Sequence, residues 1–216
     1  MRVLTEIQSK KLLKKHGIKT TTQIFAASPQ EAATAASKLG FPLVLKIVSP
    51  DITHKTEVNG VRVGIKTVPE TIEAYRSLIS SARKARPKAV IEGVSIQEMA
   101  DGVEIIIGVS RDSQFGPVIM LGTGGIFVEV LKDISFRVAP ISENDALEMI
   151  SEIKGNTLLK GVRGKKPSDI KSLVSMLLKT SKLAMSDESI MEIDMNPVFV
   201  SSSGAMAADA RVVLDK

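Results

Sequence analysis

The alternation of apolar and polar positions along the chain predicts helices and strands in mixed order. Helical spacing covers residues 5–15, and the segment 28–40 opens with Ser28 as a helix N-cap. The run FPLVLKIVS is almost continuously apolar, which indicates a strand buried on both faces. Residues 60–67 predict a second strand, and the polar segment SPDITHKTEVNGV connects the two.

The middle of the chain continues this mixture. A helix is expected over residues 68–85, followed by strands over 89–99 and 102–112. Asp101-Gly102 stands between these two strands as a hairpin signal. The run GPVIMLGTGGIFVEV predicts a strand, a glycine-rich turn and another strand.

The C-terminal part predicts two helices and a closing hairpin. Ser142 caps the first helix, and the second starts at Pro167 or Ser168. The last strands flank a Ser-Gly turn at residues 201–204. Because the strands and helices do not repeat as strict βαβ units, we expect an α+β fold with a largely antiparallel component.

Length and composition narrow the class of protein. With 216 residues, 44% of them hydrophobic, the chain can form two subdomains, predicted at residues 1–100 and 101–216. It has no cysteine, no signal-peptide pattern and no apolar run near the roughly 20 residues that span a bilayer. We therefore expect a soluble cytoplasmic protein without a membrane partner. A net charge of +5 suits anionic ligands, but 3% aromatics and scattered basic residues do not favour nucleic-acid binding.

The predicted C-terminal hairpin carries the first candidate site. If residues 201–204 form the loop, Asn196 lies directly opposite Asp209, and Asp194 lies opposite Arg211. Carboxylate and amide oxygens so arranged suit Mg²⁺, which takes few protein ligands and completes its shell with water and phosphate oxygens. A solvated strand face with an ion pair is the alternative.

Three further features can contact an anionic ligand. Lys46 lies within a buried strand, where an ammonium group needs either a phosphate or a neighbouring carboxylate. Glu98 and Glu104 flank a short connection between two strands. Its backbone N–H and C=O groups can form hydrogen bonds with an adenine edge, and the carboxylates can accept hydrogen bonds from ribose hydroxyls. Acidic residues near turns are common, however. The run LGTGGIF, with Gly124 and Gly125, allows a close approach of backbone to ligand but is neither a Walker A motif nor a dinucleotide fingerprint.

The residue pattern alone leaves the roles of two other side chains undecided. His54 is one of two histidines and lies in a polar, turn-prone segment, where a solvated loop histidine is the ordinary interpretation. Arg137 can supply a cation to phosphates, or it can be a solvated strand arginine.

The segments SPDITHKTEVNGV, GGIFVEVLKDISFRVAP and EIDMNPVFV, in this order, give the chain a resemblance over essentially its whole length. It resembles the β subunits of ADP-forming acetyl-CoA synthetases, the ATP-grasp component of acyl-CoA ligases related to succinyl-CoA synthetase. The resemblance implies an ATP-grasp fold, in which two α+β subdomains clasp ATP or ADP.

The resemblance also implies residue roles. Lys46 matches the nucleotide-phosphate lysine and Glu104 the ribose-side acid. The adenine-side segment corresponds to Glu98, Met99 and Ala100. Asn196 and Asp209 match the magnesium ligands, with Asp194 at the neighbouring acidic position. His54 corresponds to a histidine proposed to relay a phosphoryl group between ADP and a phosphohistidine on the α subunit.

The function implied is that of an acid–CoA ligase β subunit that couples acyl-CoA cleavage to ATP formation. It requires a separate α subunit with CoA-binding and phosphohistidine domains, as an α₂β₂ heterotetramer. Two alternatives are another ATP-grasp carboxylate ligase, which has no need of His54, and a non-catalytic nucleotide-sensing subunit.

The chain departs from the family pattern at two positions. Asn59 stands where the family typically has glycine, and asparagine also tolerates positive φ. Thr123 interrupts the glycine run. Both departures concern loops rather than candidate catalytic groups.

Overall fold

A computed structural model describes residues 1–52, 54–125, 132–162, 164 and 166–215. The chain divides into two compact units. The small unit comprises Thr21–Met99, and the large unit combines Met1–Thr20 with Ala100–Lys216. Each unit has its own hydrophobic core.

The small unit is a four-stranded antiparallel sheet with two helices. Its strands, in the order β2-β5-β3-β4, are β2 (Gln23–Ala26), β3 (Leu43–Val48), β4 (Val61–Ile65) and β5 (Gly93–Glu98). Its helices are α2 (Pro29–Leu39) and α3 (Val68–Ala85), with a short 3₁₀ helix at Lys55–Val58. The predicted cap is confirmed, since the Ser28 side chain accepts from the N–H of Glu31.

Strand β3 shows why the small sheet has two different faces. Leu43, Leu45 and Ile47 are almost fully buried and belong to the core that α2 and α3 complete. The intervening Val44, Lys46 and Val48 are also buried, at 5–8% exposure, on the other face. The strand is therefore covered on both faces, as its apolar sequence predicts.

The large unit is built on a seven-stranded antiparallel sheet. Its main path runs β1-β11-β9-β6-β7-β8, and β10 pairs with β9. Its strands are β1 (Arg2–Val3), β6 (Val103–Asp112), β7 (Gly116–Thr123), β8 (Ile134–Val138), β9 (Ile190–Ser201), β10 (Gly204–Ala207) and β11 (Arg211–Leu214). Its helices are α1 (Glu6–Lys15), α4 (Glu143–Glu152), α5 (Asn156–Leu159) and α6 (Ile170–Ser186). Residues from α1, α4 and α6 share one core with the inner face of this sheet.

The predicted hairpin at Asp101-Gly102 is wrong. Strand β5 pairs with β2 and β3 in the small sheet, whereas β6 pairs with β7 and β9 in the large one. Gly102 has another reason to be glycine, because a Cβ at this position would lie 2.6 Å from the Val200 carbonyl oxygen. The Asp-Gly pair thus marks the passage from one unit to the other.

The division between units also differs from the predicted 1–100 and 101–216. The N-terminal segment belongs with the C-terminal half, because β1 pairs with β11 and the N–H of Leu4 donates to Val212. Helix α6 starts later than predicted. Asp169 caps it by accepting from the N–H of Ser172, while the Ser168 hydroxyl donates to the Val200 carbonyl.

Within the part of the chain that the structure describes, no helix combines the length and the hydropathy needed to cross a membrane. The strand predicted after the glycine-rich turn falls on residues 126–131, which lie outside the described residues.

Candidate functional site

The C-terminal hairpin has the predicted register. Val200 pairs with Ala205 in the β9–β10 ladder, and Asp194 pairs with Arg211 in the β9–β11 ladder. Both ladders share one register, so Asn196 falls opposite Asp209 between them. The turn itself is shorter than predicted, because Ser201 and Gly204 are already paired and two residues connect the strands.

Burial along β9 shows which way these side chains point. Ile193 and Met195 are buried in the core, whereas Asp194 is half-buried and Asn196 is exposed. Since neighbouring strand residues point to opposite faces, Asp194 and Asn196 lie on the outer face, away from the core helices. The half-buried Asp209 lies between β10 and β11, where the common register of the two ladders sets it opposite Asn196.

Hydrogen bonds orient the acids of this face. One oxygen of Asp209, Oδ1, accepts from the N–H of Ala210 at 2.8 Å. Arg211 forms an ion pair with Glu192. The guanidinium across from Asp194 is therefore engaged with the next acid along the same strand.

The donor set fits Mg²⁺. Asp194, Asn196 and Asp209 offer carboxylate and amide oxygens, which are hard ligands. Among the residues that the structure describes, no three His, Cys, Asp or Glu side chains cluster as a metal site. A cation held by these side chains would take its remaining ligands from water and phosphate, as Mg²⁺ usually does.

The glycine-rich turn lies beside Glu104. The N–H of Gly124 donates to the Glu104 carbonyl at 2.8 Å, and a Cβ on Gly124 would lie 2.7 Å from the Glu104 Cβ. Gly125 has φ +71° and approaches the Glu104 carboxylate. Glu104 is exposed and pairs with Phe199 of β9. The close approach requires glycine at 124, and it places the turn against the candidate ribose acid.

The sequence interpretation missed a buried acid next to this turn. Asp133 is 6% exposed, and its carboxylate accepts from the Thr123 hydroxyl at 2.5 Å and from the N–H groups of Lys154 at 2.6 Å and Gly155 at 2.9 Å. Burial by itself raises the pKa of Asp133, but these three donors together hold that pKa below its usual value. A single acid between apolar runs, in VLKDIS, is the signal that marks it.

Thr123 therefore has a structural reason for interrupting the glycine run. Its hydroxyl donates to Asp133, and its N–H donates to the Asp133 carbonyl at 3.1 Å. The substitution adds an anchor at the end of β7, immediately before Gly124.

Lys46 lies on the polar face of the small sheet. Its strand neighbour across β5 is Ser95, and Val44 faces Gln97. Lys46, Ser95 and Gln97 are 5%, 1% and 2% exposed, and Gln97 accepts from the Thr21 hydroxyl. An ammonium group in such a low-dielectric, hydrogen-bonding setting interacts strongly with an anion. The alternation in GVSIQE already signals this polar face.

Strand β5 ends at an anchored acid, and the residue that follows it is exposed. Glu98 accepts from the N–H of Thr22 at 2.6 Å and donates its own N–H to the Thr22 carbonyl. Its carboxylate is thus engaged in fixing the segment. Met99 is 46% exposed, and Ala100 is half-buried at the start of the large unit.

His54 lies on an exposed turn between β3 and β4. It precedes the 3₁₀ helix at Lys55–Val58, and its carbonyl accepts from the N–H of Glu57. Asn59 ends that helix with φ +52°, so the left-handed turn survives the replacement of glycine. Gly60 then packs so closely that a Cβ would lie 2.7 Å from the side chain of Ile47. The turn is fixed at its far end, while the imidazole faces solvent.

Arg137 is committed to two carboxylates. It contacts Glu152 at 2.5 Å and Glu148 at 3.3 Å, both on α4. The hydrogen bond to Glu152 raises the pKa of Arg137, and the same bond lowers the pKa of Glu152. Arg137 therefore fastens β8 to α4 and is not a phosphate ligand in this arrangement.

The structure groups the candidate residues in the large unit but leaves them apart in the small one. The large unit carries Glu104, the Gly124-Gly125 turn and the three hairpin residues on one sheet. The small unit carries Lys46 and, on separate surface segments, His54 and Glu98-Met99.

Comparison with known proteins identifies the family. Residues 1–214 match the ATP-grasp domain family. The β subunit of acetate–CoA ligase [ADP-forming] I from Pyrococcus furiosus is 46% identical over 214 residues, covering 99% of this chain and 92% of that protein.

Two solved structures share the fold over nearly the whole chain. Acetyl-coenzyme A synthetase 1 of Ca. Korarchaeum cryptofilum, in complex with coenzyme A, Ca-AMPCP and HgCl+, has a TM-score of 0.96 at 44% identity, covering 99% of this chain and 94% of that chain. The same enzyme with coenzyme A and Mg-AMPPCP has its phosphohistidine segment pointing towards the nucleotide-binding site. It gives a TM-score of 0.86 at 40% identity, covering 99% and 93% of the two chains. The chain described here belongs to the ATP-grasp family of ADP-forming acetate–CoA ligase β subunits.

Proposed function

We propose that this chain binds ADP or ATP with Mg²⁺ and transfers a phosphoryl group between the nucleotide and a phosphohistidine of a separate α subunit. The observation that carries the proposal is the hairpin register, which sets Asn196 across from Asp209 on the outer face of the large sheet. The same sheet holds Glu104 and the Gly124-Gly125 turn.

The candidate residues have chemistry suited to a magnesium nucleotide. Asn196 and Asp209, with Asp194 beside them, would hold Mg²⁺, which neutralises phosphate charge as phosphoryl transfer proceeds. Lys46 supplies a buried positive charge for the phosphates, and Glu104 accepts from ribose hydroxyls. The backbone of Glu98-Met99-Ala100 offers hydrogen-bonding groups to adenine.

His54 acts as the relay. Its neutral imidazole attacks the terminal phosphorus of ATP, a nitrogen–phosphorus bond forms, and ADP leaves with the electrons of the broken phosphorus–oxygen bond. The phosphoryl group then passes to the partner's histidine, and the reverse sequence makes ATP. An exposed imidazole on a turn suits this role, because it must meet two different partners.

The β-subunit names of the relatives support a separate α subunit as partner. We propose that this α subunit binds CoA and carries the phosphohistidine, and that the two subunits form an α₂β₂ assembly. The isolated chain then binds nucleotide with Mg²⁺ but forms no acyl-CoA.

The test measures the rate at which a labelled phosphoryl group passes from the phosphorylated α subunit to ADP, with the reaction sampled by rapid quench. The chain has two histidines, so His16→Ala, at the C-cap of α1, is a matched control for His54→Ala. We expect His54→Ala to bind MgADP normally and to lose transfer by at least three orders of magnitude, while His16→Ala keeps both. Transfer at the wild-type rate in His54→Ala would refute the relay, and acyl-CoA synthesis by the purified chain alone would refute the need for a partner.

A further inference from the structure

Helix α1 contains a buried ion pair. Lys10 is 1% exposed, and its Nζ lies 2.8 Å from Oε1 of Glu6, whose side chain is 5% exposed. Removing two charges from water carries a desolvation cost that their attraction does not always offset, and apolar side chains often serve as well for stability alone. The pair therefore calls for a role beyond packing.

The Lys10 ammonium group also reaches the hairpin that carries the candidate metal ligands. Its Nζ donates to the carbonyl oxygen of Ala208 at 2.8 Å. The N–H of Ala208 donates in turn to the Pro197 carbonyl at 2.9 Å. Both polar groups of Ala208 are thus fixed, one by the neighbouring strand and one by the helix.

This contact acts on the residue that follows. The Ala208 carbonyl and the Asp209 N–H belong to one planar peptide group, so fixing that carbonyl fixes the plane attached to the Asp209 Cα. Asp209 lies between β10 and β11, outside both strands. The direction of the Asp209 side chain therefore depends more on the contacts of residues 208–210 than on strand pairing within the sheet.

A second contact from the same helix has a different target. The Ser9 hydroxyl oxygen accepts from the N–H of Val212 at 3.1 Å, inside β11. It secures the strand but does not act on the peptide before Asp209. Helix α1 thus makes two comparable contacts with this hairpin. Lys10 holds the peptide before Asp209, and Ser9 holds β11 beyond it.

We propose that Lys10 is a positioning residue for the magnesium site and that Glu6 is its counterion. Lys10 holds the Ala208 peptide so that Asp209 points across to Asn196. Glu6 neutralises the ammonium group, so the tether adds no net positive charge near a cation site. This inference rests on the magnesium site proposed above and deepens it.

The experiment uses Glu6→Leu/Lys10→Met, an apolar replacement of the whole pair that preserves volume and leaves no unpaired buried charge. Mn²⁺ binding in the presence of ADP is measured by electron paramagnetic resonance, and ADP affinity is measured in EDTA. We expect the Mn²⁺ dissociation constant to rise by about tenfold, the lower range for lost outer-shell contacts. ADP affinity in EDTA should stay within twofold of wild type. If this variant does not fold, Glu6→Gln/Lys10→Gln replaces it under the same criteria.

Two comparators make the result decisive. Ser9→Ala should lower the melting temperature yet leave Mn²⁺ affinity near wild type, and an equal loss of affinity there would overturn a specific role for Lys10. Wild-type Mn²⁺ affinity in the folded double variant would overturn it too, provided that Asp209→Asn loses the metal. If Asp209→Asn also binds Mn²⁺ normally, the proposed metal site itself fails.

Discussion

The Thr123 hydroxyl donates to Asp133 at 2.5 Å, which ties the last residue of β7 to a buried carboxylate. The same carboxylate accepts from two backbone N–H groups that follow α4. Thr123 immediately precedes Gly124, which packs on Glu104. One buried acid thus anchors the strand that leads into the glycine turn.

Thr123→Val tests this anchor by removing the hydroxyl at nearly constant volume. We expect a loss of about 1–3 kcal/mol in the free energy of unfolding, the usual cost of leaving a buried acceptor without its donor. Thr123→Ser keeps the hydroxyl and should lose less. Chemical denaturation of the three proteins measures this, and equal stability for Thr123→Val and wild type would contradict the anchor.

The pH dependence of stability should carry the signature of Asp133. Its pKa is lowered in the folded protein, so its contribution is fully present above the unfolded pKa of about 3.9 and is lost as the pH falls through the folded pKa. Asp133→Asn should therefore be less stable than wild type at pH 7, and the difference should shrink on acidification below about pH 4. Unfolding free energies of both proteins across pH 2–7 check the sign. A difference that grows towards acid would contradict it.

Lys46→Met should weaken nucleotide binding. The substitution keeps most of the side-chain volume in β3 but removes the buried positive charge, so we expect the ADP dissociation constant to rise by at least about tenfold, or about 1.4 kcal/mol. Lys66→Met removes an exposed lysine just after β4 and is the matched control. Isothermal titration calorimetry distinguishes them. Equal affinity in both variants would mean that Lys46 does not contact the nucleotide phosphates.

Arg137→Gln should leave nucleotide affinity unchanged within twofold. The guanidinium is held by Glu148 and Glu152, and its loss releases β8 from α4 without touching the candidate site. Because the ion pairs are partly exposed, we expect a stability loss of about 1 kcal/mol or less. Thermal unfolding and ADP titration check both points, and a marked loss of ADP affinity would return Arg137 to the list of phosphate ligands.

Local sequence signals predicted the elements that local chemistry determines. The helix caps at Ser28 and Ser142, and the hairpin register from Val200 to Ala205, depend on residues close together in the chain. That register is why spacing alone sufficed to set Asn196 across from Asp209. Lys46 in its buried strand was predicted for the same reason.

What spacing could not predict depends on distant partners. The pairing of β5 with β2 and β3 overrides the hairpin signal at Asp101-Gly102. The packing of α1 against the C-terminal part of the large unit depends on contacts such as Lys10 to Ala208, which are almost 200 positions apart in the chain. Asp133 gains its role from contacts with Thr123 and with the residues after α4, and no local pattern in the sequence indicates those contacts.

The central claim, that the hairpin holds a divalent cation against nucleotide phosphates, is tested most directly by the Mg²⁺ dependence of ADP affinity. Asp209→Asn removes the charge of one candidate metal ligand. Glu192→Gln is the matched control, because it removes an acid of β9 whose carboxylate pairs with Arg211. We predict that Mg²⁺ tightens ADP binding in wild type and Glu192→Gln by the same factor and has little effect in Asp209→Asn. An equal Mg²⁺ effect in all three proteins would contradict the account.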